Sequence, residues 1–254
     1  MLIDTHTHLY VSEFDADRPD MIKRALDAGV EQFVLPAIDS QTTAVMHSLK
    51  HDYPNNIQLM MGLHPTHVGD NLEEELAHVQ QQLITHSFVA VGEIGMDLYW
   101  DKTYQKEQQE AFAKQIAWAL AYDLPIVIHC RDAFDEIFEV LEGVEDARLR
   151  GIFHCFTGDA KQAQRAIEFN MLLGIGGVVT FKNSGLAQTL ANITMEHIVL
   201  ETDAPYLAPT PFRGKRNESS YITYVAEKVA LIHNISLAQV SKQTTENAKN
   251  LFGL

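Results

Sequence analysis

Two histidines open the chain in Asp4-Thr5-His6-Thr7-His8, directly behind the apolar run Met1-Leu2-Ile3. In a strand, alternate side chains share a face, so His6 and His8 point the same way. Two imidazoles one strand-step apart can grip a single metal ion lying over the strand's end. Taken alone, such a pair is as readily an inert exposed feature as a ligand set. The rest of the chain decides between the two.

Further metal-type side chains stand at the C-terminal ends of other apolar runs. His64 ends the third run, Glu93 the fourth, His129 the fifth, His154 the sixth and Asp203 the eighth. Chance placement scatters histidines over helices as well, where His47, His51, His78, His86 and His233 fall. Five at strand ends, with Glu93 and Asp203 beside them, make a pattern. Three His or carboxylate ligands plus water hold one catalytic divalent ion. The set His6, His8, Glu93, His129, His154 and Asp203 is enough for two divalent ions (Mg, Mn or Zn) if Glu93 bridges them. His6, His8 and Asp203 fall to one ion, and His129 and His154 to the other. Ions about 3.5–4 Å apart clamp the attacking and leaving oxygens of a phosphoryl displacement.

These residues need a scaffold that brings distant strand ends together. Apolar runs alternate with helical patterns along the whole chain. Strands are expected at 1–8, 32–36, 57–62, 88–93, 125–129, 151–154, 171–175 and 197–203. Helices are expected at 19–28, 41–51, 72–86, 106–122, 132–141, 159–169, 184–191, 221–232 and 237–251, with Asp159 an N-cap and Gly29 a stop. Short apolar strands separated by helices imply a parallel sheet covered on both faces. Eight of them in 254 residues predict an α/β fold of the (β/α)8 TIM-barrel type, one domain over 1–254 with extra C-terminal helices. An open doubly wound sheet normally carries a Gly-rich phosphate turn after its first strand. Here a His pair takes that place.

Composition narrows the function. Lys plus Arg number 19 against 34 Asp plus Glu, a net charge of −15, which disfavours a protein that coats nucleic acid but permits a locally positive pocket. Two divalent ions with Glu93 and Asp203 would leave such a pocket at about +2. That suits short or terminal phosphates. Cys130 and Cys155, with no Cys framework, fit a reducing cytoplasm. No apolar run reaches spanning length, and the acid at Asp4 argues against a signal peptide. No membrane association and no obligate protein partner are expected.

The chain resembles the TatD-type metal-dependent deoxyribonucleases, a family within the amidohydrolase superfamily. The resemblance rests on Ile3-Asp4-Thr5-His6-Thr7-His8, Gly62-Leu63-His64-Pro65, Val91-Gly92-Glu93-Ile94-Gly95-Met96-Asp97 and Pro125-Ile126-Val127-Ile128-His129-Cys130-Arg131-Asp132. It continues through His154-Cys155-Phe156-Thr157-Gly158, Leu200-Glu201-Thr202-Asp203-Ala204-Pro205-Tyr206 and Phe212-Arg213-Gly214-Lys215-Arg216-Asn217. Their order over the whole chain is specific for the family and much less so for the substrate. The resemblance implies an exonuclease for DNA, in some members RNA, acting on single-stranded ends or short oligonucleotides. It implies the six metal ligands above and assigns His64 to positioning substrate. Asp203 would then take the proton of the attacking water, making Asp203, Glu93 and His64 the catalytic set. A hydrolase of a small-molecule amide, lactone or phosphoester with the same two ions is the alternative. One departure is Glu218-Ser219-Ser220-Tyr221, where relatives more often carry proline after the acid.

Smaller signals stay open. Arg131 reaches phosphate or pairs with Asp132 or Asp135. Arg216, in the basic loop 213–217, contacts substrate or anchors the loop. Asp4 and Glu201 are either partners of the ligands or buried hydrogen-bonded acids. Cys130 and Cys155 read as packing residues turned toward the helices, Tyr99-Trp100 as a base stack or loop packing, and His67 as solvated.

Overall fold

Every apolar run becomes a strand, and the strands stand side by side in chain order. The computed structural model describes residues 1–99 and 101–254. The strands are β1 Leu2–Asp4, β2 Val30–Leu35, β3 Ile57–Met61, β4 Ala90–Asp97, β5 Ile126–Arg131, β6 Gly151–Phe153, β7 Met171–Ile175 and β8 Ile198–Leu200. All neighbouring pairs from β1 to β8 are parallel. The circle closes where Thr5 N–H donates to the Leu200 carbonyl at 3.1 Å. This is a TIM-type barrel, and its strand order leaves no interior edge.

The helices are α1 Arg18–Asp27, α2 Thr43–Asp52, α3 Leu72–Thr85, α4 Gln105–Ala121, α5 Phe134–Glu142, α6 Ala160–Glu168, α7 Leu186–Leu190, α8 Ile222–His233 and α9 Leu237–Phe252. Asp159 caps α6 with a reciprocal bond from Gln162, as its position predicts. Two apolar layers result. Ile3, Val34, Met60, Ala90, Val127, Ile152 and Val199, one from each of seven strands, fill the barrel's interior, and Ala248 and Phe252 of α9 join them. The larger layer packs the outer faces of the strands against the helices. Full burial of one such aliphatic side chain stabilises by about 1.5–3 kcal/mol. Among the described residues, no helix is long and apolar enough to cross a membrane.

The rim departs from the expected element ends, and the departures matter. β1 stops at Asp4, so His6 and His8 lie beyond the strand and not within it. There the chain bonds alternately to both neighbours, Thr5 N–H to Leu200 O and Thr7 N–H to Val34 O, and so curls over the barrel's mouth. β8 likewise stops at Leu200, with Asp203 in the following turn at φ +55°. β4 and β5 do the opposite and run past Glu93 and His129. Their pairing shifts register between Gly92 and Ile94, leaving Glu93 as the extra residue of a bulge. A bulge re-aims a side chain. At Gly95 (φ +133°) a Cβ would lie 2.2 Å from the His129 carbonyl, so only glycine lets the two long strands approach there.

Candidate metal centre

Glu93 stands at the middle of the barrel's mouth, fully shielded, with its two oxygens facing different sets of imidazoles. Oε2 lies 3.0 Å from His6 Nε2 and 3.9 Å from His8 Nε2. Oε1 lies 2.8 Å from His154 Nε2, 2.8 Å from His129 Nδ1 and 3.3 Å from His64 Nε2. Asp203 Oδ1 completes the first side, 3.3 Å from His8 Nε2 and 3.8 Å from His6 Nε2. Three groupings have ligand atoms close enough to share a cation: His6, His8 and Asp203; His6, Glu93 and His154; and His64, Glu93 and His129.

The backbone explains how residues from both ends of the chain meet. His8 N–H donates to Ala204 O at 2.8 Å, and Asp203 N–H donates to His6 O at 2.9 Å. The two ligand-bearing turns are thus laced to each other. Asp4 secures them from below, accepting from Thr202 N–H at 2.9 Å and from its hydroxyl at 2.6 Å. Of the two roles open to Asp4, this is the buried hydrogen-bonded acid. Burial pushes its carboxyl up to about 7.

Hydrogen bonds around the imidazoles fix which nitrogen faces inward. Tyr10 O–H donates to Pro36 O at 2.7 Å, so its oxygen accepts from His8 Nδ1–H at 3.0 Å, and His8 Nε2 is left as a bare lone pair. Asp97 Oδ2 accepts from His129 Nε2–H at 2.9 Å, which leaves Nδ1 bare toward Glu93. Glu201 Oε1 sits 3.4 Å from His154 Nδ1 and accepts the Cys155 N–H at 2.7 Å. His64 is set the other way. Its Nδ1 accepts from Thr66 N–H at 3.1 Å, so Nε2 carries the proton and points at the cluster as a donor. Burial lowers His64 to about 4, keeping that ring neutral.

The electrostatics follow from crowding. Burial alone would raise the Glu93 carboxyl, but the imidazoles of His154, His64 and His6 outweigh it and hold Glu93 well below the usual carboxylate range. Burial opposes Asp203 ionisation too, but the imidazoles of His8, His154 and His6 beside it outweigh burial and hold its carboxyl below the usual range. His6 is lowered by burial. Burial also works against charge on His129 and His154, yet carboxylate neighbours raise both.

The donor set fits a metal. Among the described residues, neither ring nitrogen of the fully buried His6 has a hydrogen-bond partner. Buried polar atoms are ordinarily paired. Orphaned imidazole nitrogens beside an ionised carboxylate are suited to a divalent cation.

Other expectations come out differently. Arg216 is held away from the cleft by Asp17, at 2.7 and 2.8 Å, and by Glu13 O at 2.8 Å, above the Phe14 ring. Its expected place in the substrate site gives way to loop anchoring, because a carboxylate already satisfies both guanidinium arms. At the departure 218–221, Glu218 binds Arg24 at 2.6 Å. Arg131 does line the cleft of about 600 Å³ above Glu93, its guanidinium 3.9 Å over the Tyr99 ring. Trp100 lies outside the described residues. Cys130 and Cys155 also line the cleft instead of turning wholly to the helices, and burial pushes both thiols up. His67 is not simply solvated, with Nε2 3.6 Å from Asp39. Sequence reasoning gave no role to Asp97 or Tyr10.

Comparison with known proteins bears on this geometry. A family model described as TatD related DNase matches residues 3–253. A Bacillus subtilis protein called the uncharacterized metal-dependent hydrolase YabD is 40% identical over 253 residues, covering 99% of each chain. An Erwinia tasmaniensis protein named 3′-5′ ssDNA/RNA exonuclease TatD is 28% identical over 259 residues, covering 100% of each. The crystal structure of YjjV, a TatD homolog from Escherichia coli, superposes with a TM-score of 0.94 at 29% identity, over 100% of this chain and 98% of that one.

Proposed function

The chain belongs to the TatD-related DNase family, and from that membership we propose a metal-dependent hydrolase that removes nucleotides from the ends of DNA or RNA strands. The observation that carries the reading is the division of Glu93, one oxygen toward His6 and one toward His129 and His154. That division suits a carboxylate bridging two divalent ions, Mg, Mn or Zn. His6, His8 and Asp203 would hold one ion, and His129 and His154 the other. When bound, such ions lower the pKa of water toward about 7 and offset charge on phosphate oxygens.

The remaining chemistry belongs to the side chains. Asp203, ionised and 13% exposed at the cleft floor, receives the proton of the attacking water. His64 donates Nε2–H to a phosphate oxygen, its tautomer fixed by Thr66. Arg131, on the cleft wall, meets a neighbouring phosphate. Asp97, Tyr10 and Glu201 orient the ligands. The acidic surface keeps long duplexes away, so strand ends are the favoured substrate.

The test is mononucleotide release from end-labelled single-stranded DNA by metal-loaded enzyme, with and without chelator, beside RNA and a generic ester. Chelator-sensitive release supports the reading. Ester hydrolysis without nucleotide release would replace it with a small-molecule hydrolase.

A further inference from the structure

The turn that follows Asp203 holds two exposed apolar side chains between buried neighbours. Tyr206 is 47% exposed and Leu207 41%, while Ala204, Pro205, Ala208 and Pro209 are buried. Both residues line the same cleft as Glu93, Asp203 and Arg131. The Tyr206 ring stands edge-on to His8, with centroids 5.9 Å apart. The exposed pair therefore adjoins the reacting centre.

Nothing about this turn is loose. Asn217, fully buried, donates from Nδ2 to Tyr206 O and to Thr202 O, both at 2.7 Å. Tyr206 N–H donates to Asp203 O at 2.8 Å. The Leu207 carbonyl fits against Gly177, where a Cβ would lie 2.1 Å from it. Leu207 itself adopts φ +53°, a region that bulky side chains rarely occupy and that persists only where the surroundings impose it. Burial would be the ordinary reason to fix a leucine or tyrosine so firmly, and here both remain in solvent at the cleft.

We propose that Tyr206 and Leu207 form a stacking subsite for the nucleobase of the terminal nucleotide. The occupant follows from the setting: the base joined through its sugar to a phosphate held over Glu93 is flat and uncharged, and Tyr206, three residues from Asp203, lines the same cleft. Stacking on an aromatic face accepts every base, so the subsite recognises a nucleotide without reading sequence. This inference rests on the exonuclease reading and adds the feature of the substrate that the cleft selects.

The experiment uses metal-loaded enzyme and single-stranded DNA whose attacked end carries either an ordinary nucleotide or an abasic sugar. The wild type should prefer the base-bearing end by about tenfold in KM, the size of one stacked base. Tyr206→Ala should bring that ratio close to one, Leu207→Ala should reduce it, and Tyr206→Phe should retain it. A second readout on the wild type covers misfolded variants: a deoxynucleoside monophosphate should inhibit more strongly than deoxyribose 5-phosphate. A wild-type ratio near one, equal inhibition by the two compounds, or a ratio unchanged in folded Tyr206→Ala would overturn the subsite while leaving the nuclease reading intact. Failure of the wild type to cut either DNA would overturn both.

Discussion

Asp97 accepts a hydrogen bond from His129 Nε2 at 2.9 Å, and that bond decides which nitrogen of His129 faces Glu93. With Asp97 holding the Nε2 proton, Nδ1 is left as the lone pair 2.8 Å from Glu93 Oε1. Asp97→Asn keeps the shape but can offer its amide N–H to Nε2, which favours the tautomer with the proton on Nδ1. Partners of this kind typically set metal affinity by about 10–100-fold. Metal titration of Asp97→Asn should show a loss in that range with an unchanged circular dichroism spectrum. Wild-type affinity in the variant would mean that the bond does not control the ligand.

Glu93 faces both imidazole sets, so its loss should be felt on both sides at once. Glu93→Ala should lower bound metal, measured by elemental analysis, and abolish nucleotide release together. A variant that keeps full turnover would end the proposed role. Glu93→Gln is the companion, since it retains shape and one acceptor oxygen while removing the charge.

Those two residues show what the chain alone could and could not tell. Glu93 was legible as a ligand because an acid closing an apolar run must sit near the rim of a barrel. The bulge that aims it was not legible, since a register shift depends on how β4 meets β5. His6, His8, His129, His154 and Asp203 were legible for the same positional reason, and the structure gathers them with Glu93. The partners were harder. Asp97 is recognisable only once β4 lies beside β5, where it pairs with Arg131 and reaches back to His129 two residues earlier. Arg216 looked like a phosphate contact because a basic loop shows its charge but not its partner. That partner, Asp17, lies 199 residues away.

The Arg216 pairing gives a stability prediction with a definite pH window. Hydrogen bonds from Arg216 and Arg24 hold the Asp17 carboxyl down at about 2, below its ordinary 3.8. A group depressed on folding contributes stability above its unfolded pKa and loses it as pH falls through the folded one. The contribution should be complete above about pH 5 and gone near about pH 1. Both partners are partly exposed, so Arg216→Ala should cost no more than about 1 kcal/mol at pH 7. Denaturant melts of wild type and variant should converge as pH falls from 4 toward 2. KM for oligonucleotide should change little; a large rise would restore Arg216 to the substrate site.

His64 offers the sharpest separation of roles, because the nitrogen it turns toward the cluster carries a proton, whereas those of His8 and His129 are bare. Thr66 N–H occupies Nδ1, so the nitrogen beside Glu93 carries a proton and donates instead of ligating. A donor to substrate should cost turnover without costing metal. His64→Ala is therefore expected to keep its full complement of ions by elemental analysis while kcat falls by about 10²-fold or more, the usual worth of a positioned proton donor. His64→Gln should recover part of that loss, since its amide N–H can reach toward the same oxygen. If His64→Ala instead loses metal in step with activity, the ring is a ligand of the His129 side, and the donor role falls.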